Sequence, residues 1–274
     1  MMVCIKKDKI FAQQVIFMLK EFLLQDGDLP IPVKISESEY SIRRVVLGVH
    51  GLGGNAMDEI QVSLAEEMEL FDSVVYRFDF PVHGESPLES EDFTLENCRR
   101  SLMAVARHAK ETYPQVEDLC IFATGFGAYI TLICLEDMLD LPGNIRLVLQ
   151  TPSVRMDQTL LAMARTTLAT YRAMGHLSFR RRRPLDVSFS FYEEMQNHVA
   201  MITYPIPMLI LQGEEDSYIN RDDIQNFARI IDQSKLVIIP GASHRFLEPG
   251  AWDMVLDLTR DWFEYEQVLL SDWS

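Results

Sequence analysis

Positive charge is scarce in this chain: 25 lysines and arginines stand against 41 aspartates and glutamates, giving a formal net charge of −16. A nucleic-acid partner is excluded on that balance, because neutralising phosphates takes cationic side chains in excess. Cysteine is sparse too. Cys4, Cys98, Cys120 and Cys134 have neither zinc-ligand spacing nor the density of a disulfide framework, and Cys120 and Cys134 sit in apolar segments, so the thiols are expected reduced and mostly buried. No clean apolar run has the ~20 residues that a spanning helix requires. The N-terminal stretch at 10–24 is broken by Gln13, Gln14, Lys20 and Glu21 and reads as neither signal peptide nor membrane span. Repeats and low-complexity tracts are missing as well. These absences leave an acidic, soluble chain, expected in the cytoplasm, with no membrane partner; its oligomeric state is not legible.

What is present is apolar sequence in quantity. At 274 residues and 48% hydrophobic content, the chain can bury a large core and fits one α/β domain carrying an insertion. β-Branched apolar runs at 43–49, 73–79, 119–123, 145–150, 207–212 and 236–239 read as strands. Helical spacing of apolar positions appears at 57–70, 93–113, 127–139, 224–231 and 252–265. Such alternation predicts a mostly parallel central sheet with helices on both faces. Residues 31–35 read as a further strand, and 11–24 fit either a strand pair or a helix. The alternation breaks at 152–204, a stretch rich in Met, Thr and Arg. It is expected to form a helical cap over the carboxyl ends of the strands, where sheets of this kind bind ligands, with 1–151 and 205–274 forming the core.

The loops carry the chemistry. His50-Gly51-Leu52-Gly53-Gly54-Asn55 lies between a strand and a helix, so its glycines free backbone amides to face a cavity, with the Leu52 amide placed to meet developing negative charge. Gly51-x-Gly53-x-x-Ala56 also satisfies a dinucleotide fingerprint, with Asp79 as the ribose ligand. Against that rival stand His50, the 42 residues before the first clear strand, and later motifs it leaves unexplained. One of these is Ala123-Thr124-Gly125-Phe126-Gly127, a strand-to-helix turn with the form of a nucleophile elbow, G-x-S-x-G, but with Gly125 in the serine's place. Asp216, after the strand at 207–212, and His244, after 236–239, follow in the order nucleophile, acid, base.

These motifs, together with Asp79-Phe80-Pro81-Val82-His83-Gly84-Glu85-Ser86, make the chain from about residue 30 to 265 resemble the α/β-hydrolase superfamily, within it the bacterial cinnamoyl/feruloyl esterase and serine aminopeptidase-like branch. The resemblance implies hydrolysis of small-molecule carboxylic esters by acyl transfer. It implies Asp216 as triad acid, His244 as general base, and the amides of Leu52 and Phe126 as an oxyanion hole. His50, Gly51 and His83 are expected near the substrate, His83 chiefly packing and hydrogen bonding. No metal or organic cofactor is implied, since triad and amides supply the chemistry themselves.

Gly125 departs from the pattern, and Ala128 departs more mildly. With no hydroxyl for His244 to activate, little or no esterase activity is expected of the chain as written. Thr124 is a poor substitute because an elbow projects only its central residue into the site. The sequence leaves three accounts open: a substitution made to silence an esterase, a natural loss that left an acyl-ligand binding protein, or a His/Asp dyad that never needed a covalent nucleophile. Within the insertion, Met156, Met163, Met174, Met195 and Met201 suit either the lining of an adaptable acyl pocket or plain cap core, with cap core the expected role. Arg180-Arg181-Arg182-Arg183 is a basic run that suits either a solvated face or attraction of an anionic, carboxylate-bearing substrate.

Overall fold

The computed structural model describes residues 18–271, with side chains described for 19–264. Cys4 and the N-terminal residues before 18 lie outside the described residues. Strands β1 (Met18–Asp26) and β2 (Leu29–Glu37) form a hairpin, followed by β3 (Arg44–Val49), α1 (Glu59–Glu69), β4 (Ser73–Phe78), α2 (Leu95–Thr112), β5 (Asp118–Thr124), α3 (Gly125–Ile133), α4 (Leu135–Met138) and β6 (Asn144–Gln150). After β6 come α5 (Met156–Ala164), α6 (Leu168–Met174), β7 (His176–Phe179), β8 (Leu185–Ser188) and α7 (Phe189–Met195). The alternation then resumes with β9 (Met208–Gly213), α8 (Arg221–Ile230), β10 (Ser234–Ile239) and α9 (Ala251–Ser271).

The main sheet has eight strands in the order β1-β2-β4-β3-β5-β6-β9-β10. From β4 to β10 neighbouring strands run parallel, whereas β1 and β2 join antiparallel at one edge. The central strands are apolar without alternation because both faces are covered: every residue of β3, β4 and β9 is buried. Two apolar clusters result. One gathers the inner faces of α2, α3 and α8 with one side of the sheet, and the other joins Leu64 and Met68 of α1 to Val255, Trp262 and Phe263 of α9 across the opposite side.

The ambiguous segment at 11–24 resolves, from Met18 on, as an edge strand. Leu19 and Leu23 of β1 lie on its exposed side, while Phe22 and Leu24 pack inward, and Lys20 and Glu21 on this edge discourage pairing with another chain. The expectation of a helical insertion needs a correction. Between α6 and α7 the chain forms an antiparallel hairpin, β7 paired with β8. Leu177, Phe179, Leu185 and Val187 point inward and alternate with exposed neighbours, a two-residue period that no helix can use. None of the described helices is long and apolar enough to cross a membrane.

Candidate functional site

Four consecutive strands deliver the candidate residues to one place. β5, β6, β9 and β10 are neighbours in the sheet, and Gly125, Ser153, Asp216 and His244 follow their carboxyl ends in that order. The β5–α3 junction is a sharp corner: Thr124 is extended, and Gly125 turns the chain with φ = +49°. A Cβ built on Gly125 would stand 3.8 Å from His244 Nε2 and 4.0 Å from Ser153 Oγ, ordinary contact distances. The corner therefore has room for a side chain, and that side chain would face His244.

His244 Nδ1 lies 2.8 Å from Asp216 Oδ2. Gln212 Nε2 donates to the same oxygen at 3.1 Å, and Oδ1 accepts from the amides of Tyr218 at 2.8 Å and Ile219 at 3.1 Å. Burial alone would push this carboxyl up. The hydrogen bond and charge of His244, with the two amides, overcome it and hold Asp216 below the ordinary carboxylate value. An ionised Asp216 fixes Nδ1 as the protonated nitrogen and leaves Nε2 free to take a proton. Tyr218 packs edge-on against the imidazole, ring centres 5.1 Å apart.

The glycine loop after β3 forms the facing wall. His83 Nδ1 donates to Pro81 O at 2.8 Å, so Nε2 accepts from the Gly53 amide at 2.9 Å. The Gly54 amide bonds to Gly51 O, and that of Asn55 to Asp58. Among the amides of residues 52–55, that of Leu52 is left without an acceptor among the described residues. His50 works in the same way one layer deeper: Nδ1 donates to Gly51 O at 2.8 Å and Nε2 accepts from the Phe80 amide at 3.1 Å. Burial pushes His50 down to about 4, and burial with the neighbouring His50 pushes His83 down to about 3, so both are neutral pins for the loops. Asp79, the ribose ligand of the dinucleotide alternative, is buried and holds the amides of Ala56 at 2.7 Å and Glu85 at 2.8 Å.

Together these elements enclose a cleft of about 560 Å³. Gly51, Leu52, Gly125, Phe126 and His244 line it, while Asp216 stays behind His244 with a side chain 1% exposed. His83 borders an adjoining cleft instead. Met156 and Met163 reach the main cleft, Met195 is buried, and Met174 is exposed. Arg180, Arg181 and Arg182, in the loop of the β7–β8 hairpin, line the main cleft from above. Arg183 instead donates to Ser86 O and, at 2.7 Å, to Leu88 O, tying the hairpin to the loop after β4.

Sequence reasoning missed Ser153 and Gln212. Ser153 is buried, lines the cleft, and donates its amide to Gly125 O at 3.2 Å. The residue two positions earlier, Thr151, has φ = +43°, a strained conformation for a β-branched side chain. Its position just past a buried parallel strand was the available signal. For Gln212 the signal was a polar side chain inside an apolar strand.

No protein-family model matches the chain, and no curated protein matches it. Solved structures do. Est1E of Butyrivibrio proteoclasticus with ferulic acid bound superposes with a TM-score of 0.77 at 18% identity, over 90% of this chain and 99% of that one. Alpha/beta hydrolase domain-containing protein 10 from mouse gives 0.72 at 14% identity, over 92% and 100%. The Pyrococcus furiosus esterase Pf2001 gives 0.66 at 14% identity, over 93% and 97%. The fold is thus the α/β-hydrolase fold, with its mostly parallel sheet between two helical layers, and its structural neighbours are hydrolases and esterases.

Proposed function

We propose that this chain is a carboxylic ester hydrolase scaffold in which the base, the acid and the oxyanion amides are kept and the covalent step is withheld by Gly125. The observation that carries this reading is the pairing of His244 with Asp216 at 2.8 Å, with His244 Nε2 3.8 Å from the position a Cβ on Gly125 would take. In a working triad the imidazole takes the nucleophile's proton while the carboxylate fixes its tautomer and steadies the imidazolium. Here Leu52 and Phe126 supply the amides that would meet the oxyanion of the tetrahedral intermediate. Residues 152–204 act as the cap, held down by Arg183 and by the Tyr129 hydroxyl, which donates to His198 O at 3.0 Å. The ferulic-acid-bound neighbour and the resemblance of the loop motifs support small acyl esters, including aromatic ones, as the ligand class.

The test is hydrolysis of p-nitrophenyl acetate and butyrate by the chain as written, by Gly125→Ser, and by Gly125→Ser with His244→Ala. A large gain in the serine variant that disappears with His244 supports an ester hydrolase lacking only its nucleophile. A folded serine variant as inert as its parent overturns the reading.

Ser153 favours a second, slower route in the chain as written. Its hydroxyl and His244 Nε2 lie 4.0 and 3.8 Å from the position a Cβ on Gly125 would take, so both groups face the same space, and in this route a water molecule occupies it. His244 would take a proton from that water as its oxygen attacks the ester carbonyl carbon. The oxyanion forms against the Leu52 and Phe126 amides, then collapses, and the departing alkoxide takes the proton back from His244. Oxyanion donors and binding alone retain on the order of 10³ to 10⁴ over the water reaction when a triad is broken.

A further inference from the structure

Arg180, Arg181 and Arg182 of the hairpin loop take no part in the proposed hydrolysis, yet they line the cleft. Arg180, Arg181, Arg182 and Arg245 line the same cleft as Gly125 and His244. None of the four makes an ion pair with a carboxylate among the described residues, whereas Arg99, Arg100 and Arg260 each do. In a chain with sixteen more acids than bases, unpaired guanidinium groups are costly to gather unless something negative joins them. Among the described residues, two carboxylates line the cleft, Asp58 and Glu59. Asp58 accepts from the Asn55 amide at 3.0 Å and from Asn55 Nδ2 at 3.1 Å, and the charges of Arg245 and Arg182 offset part of the burial that raises its carboxyl, so it answers two of the four arginines only in part. Four guanidinium groups against two carboxylates give the lining of the cleft an excess of positive charge in a chain that is acidic as a whole.

The placement is built rather than incidental. Arg183, the fourth member of the run, spends its guanidinium on the carbonyls of Ser86 and Leu88 and so pins the loop in place. The stem of Arg181 lies directly on Gly53: a Cβ there would stand 2.6 Å from Arg181 Cγ. The loop that holds the Leu52 amide thus also seats an arginine, and the glycine is what lets the two approach.

We propose that the cleft takes an acyl ester bearing a second, anionic group, a carboxylate or a phosphate, which the Arg180–Arg182 loop and Arg245 hold while the ester carbonyl lies at Gly125. The proposal rests on the reading of the site as an ester-binding cleft. Guanidinium groups suit this task because their planar fork meets carboxylate and phosphate oxygens with paired N–H donors. A cleft of about 560 Å³ accommodates a ligand of that kind.

Binding to the chain as written tests this without requiring turnover. Calorimetric titration would compare monomethyl glutarate, which keeps one carboxylate, with the neutral dimethyl ester, and would use inorganic phosphate as a competitor. Monomethyl glutarate is expected to bind about tenfold more tightly. That preference should vanish in Arg180→Gln/Arg181→Gln/Arg182→Gln and shrink at high salt, with Arg181→Lys keeping part of it. Displacement by phosphate would extend the site to phosphoryl groups, and failure to displace would restrict it to carboxylates. Equal affinity for the two glutarate esters, or a preference that survives in the folded triple variant, overturns the proposal. If Gly125→Ser hydrolyses p-nitrophenyl butyrate while the anion preference is missing, this inference alone falls. If the preference holds while Gly125→Ser is inert, the hydrolase reading alone falls.

Discussion

Replacing Gly125 with serine sets a backbone penalty against a chemical gain, and both can be worked out from the corner between β5 and α3. Gly125 has φ = +49°, a region that costs a residue with a Cβ about 1–2 kcal/mol. Serine also has fewer unfolded conformations than glycine, which returns about 0.4–1 kcal/mol. No clash adds to the balance, since the nearest atoms to the new Cβ are 3.8 and 4.0 Å away. The net cost is about 1 kcal/mol, which for a chain of this size lowers the melting temperature by about 2–4 °C. Activity should move the other way. Losing the serine of an intact triad costs roughly 10⁶ in kcat, so restoring it should yield at least about 10³-fold on p-nitrophenyl butyrate. Differential scanning calorimetry and initial rates on the same preparation check both. A serine variant that melts at or above its parent's temperature refutes the strained corner, and one that stays inert refutes the site.

Further outcomes follow from the same geometry. In the Gly125→Ser background, Asp216→Asn should cost roughly 10³ to 10⁴ in kcat, because an amide no longer fixes the imidazole tautomer; a loss under tenfold would remove Asp216 from the dyad. Any slow hydrolysis by the chain as written should fall with Ser153→Ala, while the same change in Gly125→Ser should alter kcat far less. Equal losses in both would end the case for water held by Ser153. His50 and His83 have folded pKa values below the ordinary histidine value, near 4 and 3, so the unfolded chain takes up protons first as pH falls through about 6.5. Stability should therefore decline between pH 6.5 and 5. The carboxyls of half-buried Asp58 and of buried Glu69 and Asp79, raised by burial, act in the opposite sense as pH falls through their raised values. A flat urea midpoint from pH 7.5 to 5 would contradict the neutral, buried state of the two histidines.

Much of the fold could be read directly, because a parallel sheet covered on both faces writes its strands as unbroken apolar runs. β3, β4, β5, β6 and β9 each fall within a residue or two of the expected bounds. The helix read at 127–139 divides into α3 and α4, and it starts two residues earlier, at Gly125, since the turn itself is the first helical residue. The hairpin β7–β8 was missed because each strand is only four residues long, too short for its period to stand out beside a run of arginines. The pairing of Asp216 with His244 was legible because both residues follow recognisable strand ends. Ser153 was marked only by its position past a strand end, since its approach to Gly125 depends on Thr151 turning the chain at φ = +43°, and that conformation at a non-glycine residue is not written in the sequence. The roles of His50 and His83 as acceptors for backbone amides were equally hidden, being set by which nitrogen each ring spends on a carbonyl.

The open space beside Gly125 also bears on how this chain could change over generations. Glycine and serine codons can differ by a single base, and no neighbouring atom stands closer than 3.8 Å to the new Cβ. Asp216 is held by Gln212 and by two backbone amides as well as by His244, so its placement does not depend on a nucleophile being present. If the proposed reading holds, acylation chemistry lies one mutational step away, and a population carrying this gene could cross that step in either direction without first rebuilding the rest of the site.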